Sequence, residues 1–99
     1  MEKKFDIGQF VNTLTEQSVV NGIVERAKKK RKQMKISQRE LSQKSGVTYA
    51  SIRRFESTGE ISLTSLLKIA HALDALKDFE NLFKGQAITS LKDYRKIFV

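Results

Sequence analysis

The sequence predicts an all-α fold: one domain of five short helices, with an N-terminal and a C-terminal arm. Three observations lead there. Apolar residues recur at helical spacing, as in Val20, Ile23, Val24, Ala27 and Met34, and again in Leu66, Leu67, Ile69, Ala70 and Leu73. Hydroxyl residues suited to helix N-caps stand before the helical runs at Ser37, Thr48 and Ser62. The 99 residues contain no Pro, so nothing of that kind interrupts the runs. A chain this long buries only about 60–65 % of its unfolded surface, so the core is small. The expected boundaries are residues 1–18 for the first arm, 19–85 for the domain and 86–99 for the tail.

In the first arm Phe10, Val11 and Leu14 have helical spacing, with Phe5 and Ile7 before them. They suit a short amphipathic helix. The first domain helix is expected over Val19–Lys35. Its apolar stripe contains one anomaly, Arg31, between Ala27 and Met34. A guanidinium on an apolar face needs a carboxylate. Glu56 is the candidate, because it lies about 40° from Ile52 on the wheel of a later helix.

The next stretch, SQRELSQKSGVTYASIRRFEST, covers Ser37 to Thr58. Ser37 and Glu40 form a capping-box pattern that starts a helix over Gln38–Ser45. Gly46 stands where that helix must end in a left-handed turn. Thr48 caps the following helix, expected over Tyr49–Ser57. Ser42 is small enough for close packing, and its hydroxyl can bond back to a carbonyl. On the wheel of the second of these helices Ile52 and Phe55 share one side. Ala50, Arg53, Arg54 and Ser57 fall about 100–200° away. One side docks inward while the other presents two arginines. Two helices so joined have the layout of a helix-turn-helix, whose second helix enters the DNA major groove.

Thr58-Gly59-Glu60 is expected to turn the chain, and Ser62 to cap a helix over Leu63–Leu73. His71 is the only histidine and reads as a surface residue. A fifth helix is expected over Asp78–Phe83, returning Phe79, Leu82 and Phe83 to the core. In the tail, Ser90 suits a cap for a helix carrying Leu91, Tyr94, Ile97 and Phe98.

Charge sharpens the picture. From Arg26 to Arg54 there are eleven Lys or Arg and one acid, Glu40. That segment carries +10 of a total of +8, leaving −2 for the remainder. A basic cluster beside a recognition-type helix is the footprint of a polyanion binder. With one His, no Cys and no Gly-rich phosphate loop, no enzyme site, metal site or cofactor site is expected. No apolar run of membrane-spanning length occurs, and the N-terminus lacks a secretory h-region. The expectation is a cytoplasmic protein with no membrane role.

The segment Ser37–Glu56 resembles the helix-turn-helix of the Xre family, the phage repressor and Cro-like DNA-binding domains. That family shows S/T-Q-x-x-L-A/S, then a small residue and G-V/I, then Ile, then an aromatic or Leu followed by Glu. Here stand Ser37-Gln38, Leu41-Ser42, Ser45-Gly46-Val47, Ile52 and Phe55-Glu56. The resemblance covers Val20 to Phe83 and implies a repressor-like fold. It also implies roles for single residues. Gln38 would bond a phosphate, and Thr48 and Ser51 would approach the DNA backbone. Ala50, Arg53 and Arg54 would face base edges, with Tyr49 at the groove rim. Arg31 and Glu56 would pair. Where many members have Gly after the fourth helix, this chain has Asp74. The loop after the recognition helix, often basic, here carries Glu60.

The resemblance implies a sequence-specific regulator, a repressor binding a palindromic site of double-stranded DNA as a homodimer. The apolar positions of the two arms are the candidate dimer interface. The alternative it admits is an antitoxin, which binds a toxin protein and represses its own promoter.

Overall fold

The computed structural model describes residues 14–85. The expected helices around Phe10 and Val11 and around Leu91 to Phe98 lie outside the described residues. Among those described there are four α-helices, one 3-10 turn and no strand. The α-helices are α1 (Glu16–Gln33), α2 (Gln38–Ser45), α3 (Tyr49–Thr58) and α4 (Leu63–Ala72), followed by the 3-10 turn Leu76–Phe79.

Helix α1 starts at Glu16, earlier than the apolar stripe suggests. Thr15 caps it, accepting the Ser18 amide at 3.0 Å, while the Ser18 hydroxyl accepts the Thr15 amide at 3.0 Å. This is a capping box with Ser in the place normally held by Glu or Gln. The helix also stops before Lys35. Lys35 takes a left-handed φ of 60°, and the amides of Lys35 and Ile36 bond back to the carbonyls of Lys32 and Arg31. That pair of bonds is a Schellman stop made without Gly. Met34 therefore caps the helix at 37 % exposure instead of joining the apolar stripe.

The other ends follow local chemistry. Ser37 and Glu40 form a reciprocal capping box at 3.0 and 2.7 Å. Gly46 ends α2 at φ 79°. The Ser42 hydroxyl donates 2.6 Å to the Val47 carbonyl. It thus reaches forward across the turn, not back along its own helix, and ties α2 to the start of α3. Thr48 caps α3, and Ser62 caps α4. Gly59 ends α3 at φ 85°, where a Cβ would come within 2.3 Å of a Val20 methyl. Glycine is required there twice over, for its backbone and for the close approach of α1.

The core is built from Val24, Leu41, Val47, Ile52, Phe55, Ile69 and Leu73, so every helix contributes. Val20, Ile23, Ala27, Ile36, Ile61 and Leu66 pack around it. Asp74 closes α4 at φ 60°, with a second Schellman pair of bonds to Ala70 and His71. A short fifth α-helix does not form. Residues 75–84 are instead a series of turns closed by i to i+3 bonds, of which only Leu76–Phe79 is a 3-10 turn. A helix of six residues offers too few bonds to offset its nucleation cost. Phe79 is half-buried, but Leu82 and Phe83 do not return to the core, and Phe83 is 99 % exposed.

Candidate nucleic-acid interface

The placement of α3 rests on one polar network. Arg31, on the apolar stripe of α1, meets Glu56 of α3 through two parallel bonds, Nε to Oε2 at 2.8 Å and Nη2 to Oε1 at 3.0 Å. Its third nitrogen, Nη1, donates to the Ile36 carbonyl at 2.9 Å. The side chains are only 11 % and 6 % exposed. Gln38, the first residue of α2, donates its amide to Glu56 Oε1 at 2.9 Å. One carboxylate thus joins α1, α2 and α3. Bidentate geometry gives such a pair direction as well as strength.

With Ile52 and Phe55 buried, the opposite side of α3 is open. Ala50, Arg53, Arg54 and Ser57 are exposed there. They line a shallow groove of about 680 Å³ together with Gln38 and Lys28, floored by the Arg31–Glu56 pair. The structure therefore brings Gln38, Ala50, Arg53 and Arg54 together. Thr48, Tyr49 and Ser51 stand at the α3 N-terminus, outside the groove lining.

Their local bonds define what each can offer. The Thr48 hydroxyl accepts the Ser51 amide at 3.1 Å and donates to the Ser51 hydroxyl at 2.9 Å. Ser51 keeps its own proton for an outside acceptor. The Gln38 side-chain amide has two N–H donors and commits one to Glu56, so the other is left to donate elsewhere. Tyr49 is half-buried beneath cations: the Arg39 guanidinium lies 4.0 Å from the ring centroid and that of Arg53 5.6 Å. Arg54 is engaged differently, in an exposed ion pair with Glu60.

Two residues, one in the groove and one beside Tyr49, escape a motif-based reading. Lys28 stands one helical turn before Arg31 and extends the groove's positive wall onto α1. Its signal was present, since residues three apart share a helix face. Beside it Arg26, Lys29 and Lys32 line a second shallow surface of α1. Arg39 orders Tyr49 from α2, and no periodicity links residues on two helices.

A groove walled by Lys28, Arg53 and Arg54, opening beside a helix N-terminus, suits a polyanion. Comparison with curated proteins and with solved structures gives no match. A family model described as Helix-turn-helix matches residues 28–77, half of the chain, from the middle of α1 through α2, α3 and α4 to the 3-10 turn. The chain belongs to the Xre-like helix-turn-helix family of DNA-binding transcription regulators.

Proposed function

We propose that the chain is a sequence-specific repressor that binds a palindromic operator as a homodimer, with α3 lying in the major groove. The observation carrying this reading is the exposed face of α3. It holds Ala50, Arg53 and Arg54 over the groove, while the opposite face is locked by Ile52, Phe55 and the Arg31–Glu56 pair. Ala50 lets the helix approach closely and meets a thymine methyl. Arg54 reads guanine O6 and N7 through two hydrogen bonds. Arg53, braced on Tyr49, contacts a flanking phosphate or base. Gln38 and the Ser51 hydroxyl hold phosphates with their remaining protons, and Lys28 with its α1 neighbours supplies the second phosphate patch. Such contacts set register, whereas base contacts set sequence. A single module of this size buries little DNA, so two copies on a twofold site give the affinity a regulator needs.

Selection of sites from a random duplex pool tests this. The expected result is a palindrome with half-sites about one helical turn apart. Arg54→Ala is expected to relax one base-pair position per half-site and to cost about 1–3 kcal/mol on the best site. Arg53→Ala is expected to weaken all sequences more evenly and to lower the salt slope by about one. A change of preferred base in Arg53→Ala alone reverses the two roles. If neither variant alters any base, α3 does not read DNA, and the antitoxin reading, a protein interface on this family's fold, takes its place. Copurification of a second protein is the companion measurement.

A further inference from the structure

Glu60 sits on the loop after α3, six residues beyond Arg54 and off helical spacing from it. A turn and two sets of hydrogen bonds bring it back. Gly59 reverses the chain at φ 85°. The Thr58 hydroxyl donates to the Arg54 carbonyl at 2.7 Å and accepts the Glu60 amide at 3.1 Å, pinning the loop over the last turn. Glu60 Oε1 then accepts Nε of Arg54 at 3.1 Å and also Nη2. The two side chains are 68 % and 65 % exposed, so the pair adds little to folding.

We propose that Glu60 is a positioning residue for base reading: it braces the Arg54 guanidinium so that its outer edge faces guanine. The proposal rests on the reading that α3 reads bases. A guanidinium carries five N–H donors, one on Nε and two on each terminal nitrogen. Glu60 takes the Nε proton and one on Nη2. The second proton of Nη2 and one proton of Nη1 form the adjoining end edge, two parallel donors that match O6 and N7 of guanine. The brace leaves the reading edge intact while restricting a side chain that otherwise turns about four bonds. Restricting it before binding lowers the cost of ordering it on DNA. The carboxylate also offsets the charge of Arg54, so phosphates attract this arginine less wherever guanine is missing.

The test is site selection followed by affinity measurement on single-base variants of the selected site. Wild type, Glu60→Gln, Arg54→Ala and the double variant are compared, with thermal melting as a folding control. Glu60→Gln is expected to lower the preference for guanine at the Arg54 position by about 3–10-fold, leaving other positions unchanged. In the Arg54→Ala background the same change is expected to alter no base preference. If Glu60→Gln instead tightens binding to all sequences alike in both backgrounds, Glu60 merely repels phosphates and the brace is overturned. If wild type selects a site and Arg54→Ala relaxes one position that Glu60→Gln leaves intact, the brace fails while the repressor reading stands. If wild type selects no site, both fail.

Discussion

Among the described residues Lys35, Asp74 and Phe83 hold a left-handed conformation without being glycine, and the first two do so at helix ends, each at φ 60°. For an L-residue that conformation costs roughly 1–2 kcal/mol. Glycine removes the cost but brings extra freedom to the unfolded chain, worth about 0.5–1 kcal/mol. Lys35→Gly is therefore expected to stabilise the fold by about 0.5–1 kcal/mol, read as a higher midpoint in urea with an unchanged slope. Lys35 is exposed, so no packing is lost in the exchange.

The glycines make the reverse case, and they differ from each other. A Cβ at Gly46 meets nothing within 4 Å, so Gly46→Ala should cost only the backbone strain less the unfolded-state freedom it removes, about 0.5–1 kcal/mol net. At Gly59 the same strain is joined by a clash with Val20 at 2.3 Å. Gly59→Ala is expected to be the more damaging, and Val20→Ala in its background to recover part of the difference. Equal loss at the two glycines in denaturant melts removes the argument for close approach. These positions show what is legible locally. Ser37, Gly46, Thr48 and Ser62 announce caps because a cap is decided by three or four neighbouring residues. Thr15 did not announce itself, because its partner is Ser18 and not the Glu or Gln of the usual box. The reach of Glu60 back to Arg54 depends on the loop path, and a wheel stops at the helix end.

At the level of elements, Arg31 and Glu56 decide how α3 sits. The pair was readable as a conflict: a guanidinium on an apolar stripe demands a carboxylate, and the wheel left Glu56 on the inward side. The second demand on Glu56, from Gln38, was not readable, since it needs the turn geometry between α1 and α2. With both side chains nearly dry, removing one partner strands the other. Arg31→Met is expected to cost about 3–5 kcal/mol, and the double variant Arg31→Met with Glu56→Leu markedly less than either single change. Thermal or urea melts of the three proteins decide it; additive losses mean the residues are not coupled. The fifth helix shows the opposite limit. Phe79, Leu82 and Phe83 have helical spacing, yet spacing alone cannot say that a segment is too short to nucleate. Residues 75–84 make separate turns instead.

Over the whole molecule, charge is divided as sharply as structure. The segment from Arg26 to Arg54 holds eleven cations and one acid, and it spans the C-terminal part of α1, all of α2 and the first six residues of α3. If a dimer neutralises about 6–10 phosphates, affinity for duplex DNA should fall about 10³–10⁵-fold between 50 and 200 mM salt. Titration of a labelled duplex at several salt concentrations measures the slope. A flat response places the main energy in protein contacts instead.

The separation of the two sides of α3 has a consequence for how such a protein changes over generations. Ile52, Phe55 and Glu56 spell the address of the helix within its own molecule, while Ala50, Arg53 and Arg54 spell the address it seeks elsewhere. The two spellings share a helix but no positions. Exposed substitutions away from such locks usually shift stability by only about 0.5 kcal/mol. The outward word can therefore drift, or be rewritten in a library at residues 50, 53 and 54, without the molecule losing its shape while it searches for a new operator.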